Sequence, residues 1–202
     1  MKKLSVLVVM LLAAVAAFIS GAASARAPCQ GHQLLPTPRA ASSCKNVKPS
    51  TFRSPDGTLT AFVFPADPSL NATPDMESRV EIHAKDGHVL TSKDYSSPRG
   101  ANGYYVVQGK WTRDSQFFVF TLSSSGGHSP WSFPMVVYSR ERNVVIKFSD
   151  MINGNPTLSE NFRLTGDHTV IATTWQVTGN IEKKISVTVD LKDALAKLPA
   201  GQ

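Results

Sequence analysis

Residues 111–148 read WTRDSQFFVFTLSSSGGHSPWSFPMVVYSRERNVVIKF, and this stretch decides the fold. It holds three apolar runs: 117–122 (FFVFTL), 133–138 (FPMVVY) and 144–148 (VVIKF). Phe, Val, Tyr and Ile dominate them, the side chains that suit a pleated, half-buried surface. The breaks between the runs, 123–132 and 139–143, are polar. Apolar run and polar break in alternation predict three antiparallel strands in sequence, a meander.

Similar short runs lie on both sides. Upstream, Ser54-Pro55-Asp56-Gly57 is a tight-turn signal: Pro presets φ, Asp bonds its own backbone and Gly accepts positive φ. LTAFVF at 59–64 follows as a strand. SRVEIH at 78–83 alternates, with Val80 and Ile82 on one face and Arg79, Glu81 and His83 on the other. Lys85-Asp86-Gly87 reads as a hairpin turn leading into 88–92, and YYVVQ at 104–108 is a further strand ended by Gly109. Downstream come strands at 160–165, 168–175 and 181–190. LKDALAKL at 191–198 is the one helical stretch, with Leu191, Ala194, Leu195 and Leu198 forming a stripe that Asp190 can cap. About ten strands, frequent turn signals and no βαβ alternation predict an all-β domain. The expected form is an antiparallel meander, built as a β-sandwich or a propeller-like blade array, with one short C-terminal helix.

The first 25 residues read as a signal peptide. Lys2 and Lys3 precede an apolar run at 4–19, and Ala23-Ser24-Ala25 fits a small-residue cleavage site. The run falls short of the roughly 20 residues of a membrane span, so no stable insertion is expected after cleavage. Residues 26–56 are rich in Pro, Ser, Ala and basic side chains and read as an irregular arm, leaving 57–202 as the all-β domain. Cys29 and Cys44 permit one pairing, a disulfide closing a short loop and contributing roughly 3 kcal/mol on the chain-entropy estimate. The leader points to bacterial export and a periplasmic or secreted location.

The net charge of +6 is unevenly spread. Residues 26–53 carry five Lys and Arg with no Asp or Glu, whereas 54–202 carry 14 against 15. The body is near neutral and lacks the basic face a nucleic-acid partner requires.

Ser54-Pro55-Asp56-Gly57 followed by an apolar strand resembles the SPDG turn of WD-like β-propeller blades. Thr112-Arg113-Asp114-Ser115, after Trp111 and before FFVFTL, resembles a degenerate second copy 58 residues on. The resemblance covers about 54–148. Such blades usually repeat at about 40–45 residues. The family is mostly a binding scaffold, so the resemblance implies binding and no chemistry.

The most unusual stretch is 123–131, SSSGGHSPW. As a ligand- or partner-binding loop, its anchors are Gly127, His128 and Trp131. As a serine hydrolase site, it uses a Ser from 123–125 or Ser129, with His128 as base and Gly126-Gly127 offering N–H groups to an oxyanion. The nucleophile elbow G-x-S-x-G is not matched, because Trp131 stands where the second Gly belongs. A third reading makes the loop an inhibitor inserted into the cleft of a secreted enzyme. The plain alternative is a hairpin loop with Trp131 packed on the sheet.

The other histidines show no metal-ligand spacing, so no metal, cofactor or catalytic set is expected. Asp75 and Glu77 form a possible carboxylate pair, with solvated loop charges as the plainer reading. Trp111, Trp131 and Trp175 are candidates to line a sugar- or peptide-binding face, with Trp111 and Trp175 as core residues the plainer reading. The expected function is therefore non-catalytic binding or interaction in the cell envelope, with an unidentified protein or small ligand as partner.

Overall fold

The computed structural model describes residues 49–66, 77–98, 102–126, 133–152, 157–178 and 181–199. These residues form three antiparallel sheets laid down in chain order. The first contains β1 (Ser50–Arg53), β2 (Leu59–Pro65), β3 (Ser78–Ala84) and β4 (Val89–Asp94), each strand paired with the next. The second repeats that plan with β5 (Tyr104–Trp111), β6 (Phe117–Ser124), β7 (Met135–Ser139) and β8 (Val144–Lys147). A one-turn helix, α1 (Phe148–Met151), leads to the third sheet: β9 (Thr157–Thr165), β10 (Thr169–Thr178) and β11 (Ile181–Asp190). Helix α2 (Leu191–Ala196) follows directly, and the Asp190 side chain accepts from the Asp193 N–H at 3.0 Å, the cap expected.

The second sheet is the middle layer, and β6 explains why. Phe118, Phe120 and Leu122 join Leu59, Ala61, Val80 and Ile82 in a core shared with the first sheet. Phe117 and Val119 belong to a separate core with Phe162, Val170 and Ala172 of the third sheet and with both helices. A strand covered on both faces cannot alternate, so 117–122 reads as an unbroken apolar run. Each fully buried Phe contributes roughly 1.5–3 kcal/mol through removal of apolar area from water.

β3 keeps the expected alternation. Val80 and Ile82 are buried, while Arg79 and His83 on the opposite face both pair with Glu81, at 3.0 and 2.8 Å. Gly87 takes φ 87° in the hairpin after β3, the left-handed conformation that the Asp-Gly signal predicts.

Several boundaries differ from expectation. β1 lies inside the stretch read as an irregular arm; it is only four residues long and pairs on one side alone, too short to show a period. β5 runs through Gly109 to Trp111 instead of stopping there. A Cβ on Gly109 would stand 2.7 Å from Cζ of Phe118, so this glycine makes room for a ring rather than for a turn. Helix α1 has no counterpart in the sequence pattern; burial of Phe148 and Met151, three residues apart, holds its single turn against the core. Trp111 is buried as expected, its Nε1 donating to the Phe52 carbonyl at 2.8 Å. Trp175 is not a core residue: it is 36% exposed on the outer face of the third sheet, beneath the Lys184 ammonium.

The leader, most of the arm, Cys29 and Cys44 lie outside the described residues. No helix among the described residues is long and apolar enough to cross a membrane.

Candidate functional site

Three features could carry function: the turns at one end of the sheets, the loop roots around Glu77, and the crevice along the second sheet. The two SPDG-type turns share one bonding scheme. Ser54 Oγ donates to Asp56 at 2.6 Å and accepts from the Leu59 N–H at 3.0 Å. Thr112 Oγ1 donates to Asp114 at 2.6 Å and accepts from the Phe117 N–H at 3.0 Å. Gly57 at φ 68° and Ser115 at φ 60° occupy the same left-handed position. Burial pushes the Asp56 pKa up, but bonds from Ser54, Thr58 and Arg140 outweigh it and hold the carboxyl below the usual range. Each Asp also reaches the next sheet. Asp56 pairs with Arg140, and Asp114 with His168. The His168 ring lies between two carboxylates, with Nδ1 3.2 Å from Asp114 and Nε2 3.1 Å from Asp190. Both nitrogens are occupied, so this imidazole is a clasp between sheets, with no nitrogen left to take a substrate proton.

Glu77 departs from the solvated carboxylate that the sequence leads one to expect. It is buried, and its oxygens accept from the N–H and hydroxyl of Ser97, the N–H of Gly103 and the hydroxyl of Ser125. Burial pushes its pKa up, but the bonds from Ser125, Ser97 and Gly103 dominate and lower it. Gly103 is obligatory here: a Cβ would lie 2.5 Å from the Tyr95 carbonyl oxygen and 2.6 Å from Cδ of Glu77. Glu77 thus ties together the end of the 65–77 segment, both ends of the 95–103 segment and the start of the 123–131 loop. No local sequence signal marks it, since its partners lie 20, 26 and 48 residues away.

Beside this knot a crevice of about 480 Å³ opens along the second sheet, bordered by Lys93 and Tyr95 from the end of the first sheet and by Leu158 of the third. Leu122, Met135, Val136, Val145 and Leu158 form its apolar lining, while Lys93, Tyr95, Tyr104, Lys147 and Ser149 supply polar groups. The volume lies within the roughly 300–1,000 Å³ of small-molecule pockets. A second, open groove runs along β1, β5 and β9, with Arg53, Lys110 and Arg163 around Phe52 and Trp111. All three are edge strands, where exposed cations block edge-to-edge association, and that accounts for the groove's charge.

Gly127, His128 and Trp131 lie outside the described residues. The root of their loop is described, and it bears on the hydrolase reading. Ser125 Oγ donates a hydrogen bond to Glu77 at 2.7 Å, and the donors on that carboxylate lower its pKa, making it a poorer base than a free glutamate. Ser124 accepts from the Gly126 N–H at 3.3 Å, closing the turn. The described residues contain no group of three or more His, Cys, Asp or Glu arranged to hold a metal ion.

No protein-family model matches the chain, and no curated protein matches it significantly.

Proposed function

We propose that this chain is an exported, non-catalytic binding protein of the cell envelope, and that its three sheets are blades of a propeller-like array. The repeated turn supports the second part: Ser54-Asp56 and Thr112-Asp114 make the same bonds before β2 and β6, each in a sheet whose four strands pair in order. The N-terminal run of apolar residues supports export.

The single observation that carries the binding reading is the apolar crevice along the second sheet, beside loop roots fixed by Glu77. Concave, mostly apolar sites with a few convergent polar groups are where proteins take small ligands. A fixed loop root costs less ordering entropy on binding than a free one.

Native mass spectrometry of the protein purified from cell envelopes tests this. A small molecule carried by the wild type and absent from Val145→Trp, which fills the crevice, is the expected result; Tyr104→Ala, at an exposed lining position, serves as a second variant. Wild type recovered with no bound species, or steady turnover of ester, peptide or glycoside substrates, overturns the reading.

A further inference from the structure

We infer that the crevice along the second sheet holds a single-chain amphiphile: an apolar chain along Leu122, Val136 and Val145, with an anionic head between Lys93 and Lys147. This inference rests on the binding reading above and names its ligand class.

The register places both lysines. Lys93 pairs with Val80 across β3 and β4, so it shares the face on which Val80 is buried against the second sheet. Lys147 pairs with Val136 across β7 and β8, and Val136 is buried against the first sheet. Lys93 and Lys147 therefore come from facing surfaces of two sheets, and both line the crevice at its exposed rim. Neither forms an ion pair with a described residue, and no described Asp or Glu lines the crevice.

An inward lysine on an edge strand is also a device against aggregation, and β4 and β8 are both edges. Edge protection explains two separate charges. It does not call for an apolar pocket between them, nor for the third polar group found there. Tyr95 lines the crevice, and its hydroxyl is buried with no hydrogen-bond partner among the described residues. A buried donor with no protein partner is satisfied by water or by a bound polar group, and a head group entering the crevice is one such group. Burial also pushes the Tyr95 phenol pKa up, so the group stays a donor at any ordinary pH. Two cations and a neutral donor around an apolar floor match a carboxylate or phosphate on a hydrocarbon chain. The volume of about 480 Å³ suits one such chain.

Calorimetric titration of the full mature chain tests the inference, with decanoate, decanol, acetate and lysophosphatidylglycerol as probes. Decanoate or lysophosphatidylglycerol binds, and the preferred one identifies a free acid or a membrane lipid as the source. Acetate, a head without a chain, does not bind measurably. The double variant Lys93→Gln/Lys147→Gln weakens the anionic probe at least roughly tenfold, the effect of one lost charge-assisted bond, and leaves decanol unchanged. Tyr95→Phe weakens the anion as well, yet raises the melting temperature of the free protein, because it removes a buried hydroxyl that nothing satisfies. Anion binding equal in wild type and the lysine double variant overturns the inference, as does decanol binding as tightly as decanoate. If native mass spectrometry finds a cationic or chainless ligand that Val145→Trp abolishes, the inference fails while the binding reading stands.

Discussion

Asp56 and Asp114 do the same two jobs in successive sheets. In each, Oδ1 serves its own turn, accepting from the Ser54 or Thr112 hydroxyl at 2.6 Å and from a backbone N–H at 3.1 Å. In each, Oδ2 reaches into the following sheet, to Arg140 or to His168. The backbone repeats the link: the Asp56 N–H donates to Ser115 Oγ, and the Asp114 N–H to the Asp167 carbonyl. A turn residue thus fixes both the entry into the second strand and the seating of one sheet on the next.

The two halves of this device differ in burial, and so in energetic weight. Thr112 is fully buried, and Thr112→Val leaves the Phe117 N–H without its side-chain acceptor; the expected cost is about 1–3 kcal/mol. Ser54→Ala removes the equivalent bond and falls in the same range, about 1–3 kcal/mol. Arg140 and Asp56 are each about a third exposed, so Arg140→Met costs less than about 1 kcal/mol. Urea denaturation midpoints check the order, and an Arg140→Met loss larger than that of Thr112→Val refutes it.

Glu77 makes stability depend on pH. Its folded pKa lies below the unfolded value, so folding favours the charged form. The contribution is complete above the ordinary glutamate pKa of about 4.3 and is lost as pH falls through the lower folded value. Glu77→Gln removes this component and flattens the acid limb of the stability curve. At neutral pH it also costs about 1–3 kcal/mol, because one amide oxygen replaces two carboxylate oxygens and the NH2 faces the Ser97 N–H or the donors on the other side. Chemical denaturation between pH 3 and 7, roughly spanning the carboxylate range, tests both effects; parallel curves for wild type and variant would count against them.

The sequence discloses what burial and turn chemistry impose locally. Phe117 to Leu122 is legible because both faces of β6 are covered, and Asp56 and Asp114 because a turn needs its Asp within a few residues of its Ser or Thr. Asp190 is legible as a cap for the same reason. Relationships across the sheets leave no such trace. Glu77 looks like any loop carboxylate until Ser97, Gly103 and Ser125 are brought to it. Lys93 sits in the polar run Thr91-Ser92-Lys93-Asp94, where nothing signals that it faces the second sheet. Trp175 is outward by plain alternation, since Val170, Ala172 and Thr174 are the buried residues of β10; its residue type suggested core, and the period of its strand decides otherwise.

Gly103 and Gly87 separate two reasons for a glycine. Gly87 needs its positive φ of 87°, but a Cβ there would meet nothing within 4 Å, so Gly87→Ala costs only the left-handed penalty of about 1–2 kcal/mol. Gly103 is constrained by space: the added methyl meets the Tyr95 carbonyl at 2.5 Å and the Glu77 carboxylate at 2.6 Å, and backbone cannot step aside as a flexible side chain can. Gly103→Ala therefore costs at least as much, about 1–3 kcal/mol from overpacking, and adds a second effect that Gly87→Ala lacks. It pushes Glu77 off its donors, so amide hydrogen exchange at Ser97, Gly103 and Ser125 accelerates relative to the β6 core. Faster exchange confined to these loop roots, with β6 protection falling only by the global loss of stability, is the expected pattern; uniform acceleration across the chain in Gly103→Ala would show that Glu77 does not hold the loops as a local unit.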